Sequence, residues 1–325
     1  MVGAAALTGD RTVPEQFVSR LRRAPRAGGV RQIALAPYDH AVPELPEVET
    51  VARLIRPHLV GRTVRACSVS WPRTVGGRVE RFERAVVGAR VDAVERRAKF
   101  LVFRLSRGGV PAGALLGHLR MTGRMHVEDA SWDPGKFAKV RLELDNGRAF
   151  HFIDVRKFGR LEHVADPERA LEELGPEPLG EEFTPQWFER ALKARSRALK
   201  PLLLDQSFLA GLGNIYVDES LFRAQLHPLT NSRRVPTERA LALWREIRST
   251  LSEAIAREGS SFDTFYRTPE GNPGAYQDQF KVYGRGGEPC RTCATPIQRF
   301  VVGQRGTHVC PRCQPKPRAA RSRRR

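Results

Sequence analysis

The chain has 325 residues, a formal net charge of +19 and a sequence pI of about 10.7. This length suffices for two domains with cores of their own. The excess of Lys and Arg favours a polyanionic partner, nucleic acid before an anionic membrane. No apolar run approaches the roughly 20 residues that cross a bilayer as a helix, so the sequence predicts no membrane span.

The first 42 residues carry Gly, Pro, Ala and Arg without sustained periodicity, and we expect them to be disordered or non-native upstream sequence. A helix is predicted next, with Pro46 at its first position and an end near Gly61. Glu47 and Glu49 suit the positive end of the helix dipole. The apolar residues that recur at helical spacing are Val48, Val51, Ile55 and Leu59.

Strand patterns replace the helical pattern between about residues 63 and 164. Residues 98–105 form a mainly apolar run, and residues 139–144 alternate with period two. The pair Asn146 and Gly147 then predicts a tight hairpin in which both central residues adopt positive φ. Several strands joined by turns predict an antiparallel sandwich.

A domain boundary is predicted at residues 175–180, where the sequence GPEPLG interrupts regular structure. Residues 259–279 read as loop, and the Arg-rich end reads as a solvated tail with diffuse phosphate affinity. Four helices are predicted after the boundary, opened by Thr184, Pro201, Asn214 and Pro236.

Two Cys-x-x-Cys pairs near the end of the chain predict a zinc site, with Cys290, Cys293, Cys310 and Cys313 as ligands. Each pair places two thiolates on one side of a tight turn, and two such turns complete a tetrahedron. No ligand position is left open, so we expect one structural zinc ion that staples a small hairpin. Cys67 is left over and is predicted to be a small buried apolar residue.

Several further residues can be interpreted from the local sequence pattern alone. The stretch 211–216, GLGNIY, predicts an anion site, with Asn214 as the N-cap of a helix and free N–H groups pointing outward. On pattern alone, Lys99 belongs to a solvated basic edge, Met121 and Phe158 to the core, and His118 is a satisfied polar residue.

The sequence PELPEVET at residues 43–50 closely resembles the start of formamidopyrimidine-DNA glycosylases. The wording PEVET, together with GNPGAY at residues 271–276, implies the branch that acts on oxidised purines rather than the endonuclease VIII branch. The resemblance runs from Pro43 to Gln314. The other stretches that carry it are GHLRMTG at 117–123, DVRKFG at 154–159, GLGNIY at 211–216 and the four cysteines.

The resemblance implies a bifunctional glycosylase and abasic-site lyase. Its expected substrate is duplex DNA that carries 8-oxoguanine, formamidopyrimidines or abasic sites. In the family, the proline matching Pro43 is residue one, and its free secondary amine is the nucleophile. Glu44 is then the general acid that opens the sugar ring, and Lys99 lies near the scissile sugar and binds phosphate.

The resemblance also implies DNA contacts. Met121, Arg156 and Phe158 would fill the gap left by the everted nucleotide, because a flipped base leaves a hole in the stack. Arginine can hydrogen-bond the orphaned partner base through its fork. Contacts to or near phosphate are implied for His118, Lys200, Asn214 and Arg305.

The implied fold is α+β, with an N-terminal antiparallel β-sandwich and flanking helix, and a C-terminal helix–two-turn–helix domain with a zinc-finger β-hairpin. We expect a cytoplasmic, bacterial-type monomer whose partner is duplex DNA. The predicted segments are extension, catalytic sandwich, DNA-binding helical domain, zinc finger and basic tail, at 1–42, 43–175, 176–282, 283–314 and 315–325.

The extension conflicts with the implied chemistry, because an internal proline nitrogen is a tertiary amide that cannot attack carbon. Val42 offers a resolution, since a GTG codon reads as valine inside a gene and as methionine at a start. We therefore expect the native protein to begin at Pro43. The alternatives are a catalytically silent damage-binding protein, an endonuclease VIII-like enzyme for oxidised pyrimidines, and a zinc-ribbon nucleic-acid binder without base excision.

Overall fold

A computed structural model of the chain describes residues 42–261 and 266–317. The predicted extension, apart from Val42, and most of the predicted basic tail lie outside the described residues. Among the helices of the described part, none is both long and apolar enough to cross a membrane.

The N-terminal half of the described chain is a β-sandwich, as predicted. Its strands are β1 (Val64–Val69), β2 (Arg90–Arg97), β3 (Phe100–Arg107), β4 (Val110–His118), β5 (Gly123–Asp129), β6 (Ala138–Leu144), β7 (Arg148–Asp154) and β8 (Arg160–Val164). They form two antiparallel sheets with the orders β1-β6-β7-β5 and β2-β3-β4-β8. Phe103 from one sheet and Phe150 from the other meet edge to face in the shared apolar core.

Two hairpins differ from the prediction in ways that matter for side-chain placement. Strand β3 begins at Phe100, because Ala98 and Lys99 form the turn after β2, with Ala98 at a φ of 53°. Lys99 therefore lies at a hairpin tip rather than inside a strand. In the described loop between β6 and β7, Gly147 alone has a positive φ, at 77°, which fits a three-residue loop rather than the predicted two-residue turn.

Helix α1 (Leu45–Leu59) bridges two cores. Val48 and Ile55 pack into the core of the sandwich, whereas Leu45 packs into the core of the helical region. The helix begins one residue earlier than predicted, so Pro46 occupies its second position, and Gly61 follows its end with a φ of 83°. The residues just before α1 therefore lie where the two cores meet.

The remaining helices are α2 (Val79–Val86), α3 (Pro167–Ala170), α4 (Pro185–Lys193), α5 (Leu199–Leu203), α6 (Asn214–Arg223) and α7 (Thr237–Ala256). Thr184 caps α4 as predicted, since its hydroxyl accepts from the backbone N–H of Trp187 at 3.1 Å. Helix α7 follows Pro236 and buries Leu243, Ile247 and Leu251 against α6 and α4.

A small hairpin of β9 (Gln298–Val302) and β10 (Arg305–Val309) follows the helices. It docks on α6, where Asp218 accepts from the backbone N–H of His308 at 3.0 Å. Its own apolar cluster is small and includes Phe222, Val282 and Ile297 beside two of the cysteines. Such a thin core needs an additional constraint.

Candidate active site and nucleic-acid interface

Pro43 and Glu44 are both buried immediately before α1. The backbone N–H of Glu44 donates to the Glu47 carboxylate at 2.9 Å, which forms a capping box at the start of the helix. The next residue, Leu45, donates its N–H to the carbonyl of Gly211 at 3.1 Å. The start of the predicted catalytic segment is therefore fixed against the loop that precedes α6.

The Glu44 carboxylate lies at the N-terminus of α6, where it accepts N–H groups from Gly213 at 2.7 Å, Ile215 at 2.9 Å and Tyr216 at 3.4 Å. A side chain at Gly213 would collide with this carboxylate. The predicted anion site is therefore real, but the protein's own Glu44 occupies it, and the expectation that its N–H groups point outward was wrong. The N-cap residue is Gly213, with Asn214 as the first helical residue.

Burial raises the pKa of Glu44 to about 7, with Lys99 opposing the shift and the neighbouring Glu47 adding to it. Both protonation states are therefore populated near neutral pH. A carboxyl group with such a pKa suits general acid catalysis.

Lys99 shares this electrostatic environment. Burial lowers the pKa of Lys99, Glu44 opposes that shift, and the positive charge of Arg305 on the zinc hairpin lowers the pKa further. Glu44 and Lys99 thus act on each other, and Arg305 acts on Lys99. An acid and two cations from three separate parts of the chain suit a phosphodiester substrate.

Glu177 holds the hairpin that carries Lys99. Its carboxylate accepts from the backbone N–H of Ala98 at 2.5 Å, from Arg96 at 2.7 Å and from Arg97 at 3.0 Å. From the sequence, residues 175–180 were expected only to form a domain boundary. The one acidic residue in that Pro- and Gly-rich stretch was the feature that could have indicated a role in the site.

Glu47 is a second residue to which the sequence analysis gave no site role. The hydroxyl of Tyr216 donates to its carboxylate at 2.5 Å, and the backbone N–H of Ser260 donates at 2.7 Å. Burial raises the pKa of Glu47. This carboxylate joins the start of α1 to α6 and to the loop after α7, and its assignment to the helix dipole alone was incomplete.

Lys200 is buried, and its predicted phosphate contact stays a prediction. Its ammonium donates to Asp218 at 2.7 Å and to the carbonyl of Gly306 at 2.8 Å, and its side chain is 0% exposed. The Asn214 amide donates to the same carbonyl at 3.0 Å. Both residues therefore hold the backbone immediately beside Arg305.

His118 is buried and neutral. Its Nδ1 accepts from the backbone N–H of Arg120 at 3.0 Å, and its ring meets Phe100 edge to face. Burial lowers the pKa of His118 well below its ordinary value, and the charges of Arg120 and Lys99 act in the same direction. The buried Nε2 has no hydrogen-bond partner within the described residues, which leaves one donor for a ligand.

The three residues predicted to fill the DNA stack lie on two neighbouring turns. Phe158 is 50% exposed, and the Arg156 guanidinium lies 5.2 Å from its ring centroid. Met121 is 8% exposed, so in this structure Phe158 and Arg156 are the members of the set that reach solvent.

The four cysteines form a cluster whose Sγ atoms lie within 4.8 Å of one another. A tetrahedral zinc ion with Zn–S bonds of about 2.3 Å requires sulfur separations of about 3.8 Å. The separations of 3.4 Å for Cys293–Cys310, 3.6 Å for Cys293–Cys313 and 4.0 Å for Cys290–Cys313 fit this requirement. Cys67 lies apart and packs against the sandwich core, where burial raises its pKa to about 12.

A buried acid lies at the junction of a β-sandwich and a helical domain, with Lys99 acting on it and Arg305 of the cysteine hairpin acting on Lys99. These features define an enzyme that acts on a polynucleotide. Comparison with known proteins makes this class specific. Residues 42–161 match the formamidopyrimidine-DNA glycosylase N-terminal domain, residues 174–266 its H2TH domain, and residues 287–316 the zinc finger found in FPG and IleRS.

Curated relatives agree with these matches. The formamidopyrimidine-DNA glycosylase of Chloroflexus aurantiacus is 43% identical over 277 residues, which cover 84% of this chain and 98% of the relative. That of Geobacillus kaustophilus is 43% identical over 281 residues and is covered completely. The chain belongs to the formamidopyrimidine-DNA glycosylase family.

Solved structures show the same fold. The MutM (Fpg) protein of Thermus thermophilus superposes with a TM-score of 0.75 at 43% identity, covering 85% of this chain and 100% of that one. The Lactococcus lactis protein in complex with DNA that contains Fapy-dG superposes with a TM-score of 0.75 at 33% identity, covering 84% and 100%. The four cysteines are thus those of the family's structural zinc finger.

Proposed function

We propose that this protein excises oxidised purines, 8-oxoguanine and formamidopyrimidines, from duplex DNA and then cleaves the strand at the abasic site. The observation that carries the proposal is the Glu44 carboxyl, which is buried beside Pro43 and has a pKa of about 7. The Lactococcus lactis relatives bound to Fapy-dG and abasic-site DNA support the substrate class.

The proposed reaction begins with the free amine of Pro43. An α-amino group has an ordinary pKa near ~8, so an appreciable fraction is unprotonated at neutral pH. The Pro43 nitrogen forms a bond to C1′, and the glycosidic bond between C1′ and the damaged base breaks. The base leaves with the bonding electrons and takes up a proton. The Pro43 nitrogen then loses its proton while Glu44 protonates O4′, so the sugar ring opens and an iminium forms.

The iminium makes the C2′ proton acidic. Loss of this proton expels the 3′ phosphate, and loss of the C4′ proton then expels the 5′ phosphate. Lys99 and Arg305 are assigned to the phosphates beside the reacting sugar, where their charges offset that of the DNA. The zinc ion, held by the four cysteines, supplies structure and takes no part in these steps.

The active form is proposed to begin at Pro43, because only a free secondary amine can react in this way. The family match that starts at residue 42 and the near-complete coverage of the relatives support this start. If residues 1–42 are retained, the observation that Val42 acylates the Pro43 nitrogen favours the second candidate function, a damage-binding protein without catalysis.

The place of action follows from the substrate. The matched relatives are bacterial DNA repair enzymes. We infer that this enzyme works in the cytoplasm, where a bacterial chromosome lies.

The test is excision from matched duplexes that carry 8-oxoguanine, a formamidopyrimidine, an oxidised pyrimidine or no lesion. The form beginning at Pro43 should release both purine lesions, cleave the strand at each, and leave undamaged DNA intact. A preference for the oxidised pyrimidine would instead support the endonuclease VIII-like alternative. Tight binding without release of any base would support the damage-binding alternative.

A further inference from the structure

The two turns that carry Met121, Arg156 and Phe158 leave the sandwich at the same point. Strands β5 and β7 pair antiparallel, and Gly123 lies directly opposite Asp154 at the end of that pairing. Residues 119–122 lead into β5, and residues 155–159 follow β7. We call these two segments the wedge turns, since they present the residues assigned to the DNA stack.

One buried carboxylate joins the wedge turns. Asp154 is 1% exposed, and its Oδ1 accepts the hydroxyl of Thr122, which belongs to the other turn. The same oxygen accepts the backbone N–H of Arg156 at 3.2 Å, and Oδ2 accepts that of Gly159 at 2.7 Å. Both carboxylate oxygens are therefore engaged on the turn that carries Arg156 and Phe158.

Thr122 completes the connection from the opposite side. Its hydroxyl donates to Asp154 and also accepts the backbone N–H of Arg156 at 3.1 Å. Thr122 as a whole is 5% exposed. A single side-chain oxygen next to Met121 thus touches the backbone of Arg156.

The backbone of both turns depends on this support. Arg120 and Lys157 adopt left-handed conformations with φ of 55° and 61°, which non-glycine residues rarely adopt without compensation. A side chain at Gly159 would collide with the Phe152 ring. Thr122 and Asp154 accept backbone N–H groups on the turn that contains Lys157, whereas His118 accepts that of Arg120 on the other turn.

We propose that Thr122 and Asp154 are positioning residues that make the two wedge turns insert into DNA as one unit. They touch no substrate and act through Met121, Arg156 and Phe158. The inference rests on the proposed function, because insertion has meaning only for a protein that everts a nucleotide. Removal of the Thr122 hydroxyl would separate Met121 from Arg156 and leave a buried carboxylate oxygen one donor short.

The test uses the full chain and a fluorescent duplex, so that it does not depend on a free Pro43. The duplex carries a stable tetrahydrofuran abasic analogue opposite 2-aminopurine, whose emission rises when its stacking is lost. Thr122→Val removes the hydroxyl at nearly constant shape, and Thr122→Ser retains it. Asp154→Asn is a second variant, and the melting temperature of each protein is measured alongside.

Wild type and Thr122→Ser should both raise the emission on binding. Thr122→Val should lower the equilibrium constant for insertion about tenfold, as expected for loss of a buried hydrogen bond to a charged group. Its affinity for the duplex should fall by no more than this factor, because insertion alone is weakened and no phosphate contact is removed. Asp154→Asn should act in the same direction.

Full emission with folded Thr122→Val would overturn the inference, as would an equal loss in Thr122→Ser. A loss of emission that follows the melting temperature across all variants would also overturn it, because it would indicate a merely structural role. A wild-type chain that binds the duplex without any rise in emission would instead contradict the proposed function itself.

Discussion

The site around Glu44 and the turn around Phe158 are built in opposite ways. The Glu44 carboxylate is 4% exposed and is held by three backbone N–H groups from a segment far along the chain. Phe158 is half exposed, and its ring faces the guanidinium of Arg156 on the same turn. Long-range contacts at a domain junction thus hold the residue of the proposed chemistry, whereas the residues proposed to contact the DNA stack lie on an exposed turn.

Because of this difference, substitutions at the two sites should impair different steps of the proposed reaction. A change at Glu44 should remove a chemical step and leave DNA recognition in place. A change at Phe158 should weaken recognition and leave the chemistry on an already abasic sugar. The zinc hairpin belongs with the first site, because it carries Arg305, whose charge acts on Lys99.

The largest effect is expected for Glu44→Gln in the form that begins at Pro43. Excision of 8-oxoguanine should fall by about 10²–10⁴, the usual contribution of a general acid, while elimination at preformed abasic sites persists in part. Excision needs both the acid form of Glu44 and the free amine of Pro43, whose ordinary pKa is near ~8, so wild-type excision should stop rising near pH 7 and decline above about 8, whereas the variant should keep rising to about 8. Equal losses on both substrates would contradict the assignment.

Cys310→Ser should have an intermediate effect. Loss of one of four thiolates should abolish zinc binding at this site and free the hairpin, so that Gly306 no longer presents Arg305 beside Lys99. DNA affinity should fall by about tenfold or more, while the sandwich stays folded. Cys67→Ser, outside the cluster, is the matched control. Full zinc content in the Cys310 variant would refute the ligand set.

Phe158→Ala should have the smallest effect. Truncation of a half-exposed side chain removes few buried contacts, so the free energy of unfolding should change by less than about 1 kcal/mol. Excision from duplex DNA should drop more than cleavage at a preformed abasic site, where no base must be extracted. A buried core phenylalanine would instead cost roughly 3–5 kcal/mol and reduce both activities alike.

Local sequence patterns predicted much of the architecture. The sandwich, the capped helix after Thr184, the long helix after Pro236 and the four-cysteine cluster all follow from periodicity, capping residues and spacing. The predicted start of strand β3 was two residues too early, because alanine is not a typical turn residue and Ala98 nevertheless adopts a positive φ.

The partners of the charged residues could not be predicted locally. The stretch 211–216 was correctly expected to bind an anion, but the anion is Glu44, which lies more than 160 residues earlier in the chain. The partners of Lys200, Asp218 and a backbone carbonyl, were likewise not predicted, and its assignment to DNA stays a prediction. Such pairings depend on which segments the tertiary fold brings together, and no period or spacing carries that information.

The central claim is that Pro43, once it is the first residue, is the nucleophile. Borohydride reduces an iminium, so a chain that begins at Pro43 should become covalently linked to DNA that carries 8-oxoguanine, and the linked peptide should contain Pro43. Intact mass, measured on the same sample, establishes where the chain begins. The unprocessed chain of 325 residues should bind the DNA and give no linked product. If the long form is trapped as efficiently as the short one, the nucleophile is not Pro43, and a lysine such as Lys99 takes its place.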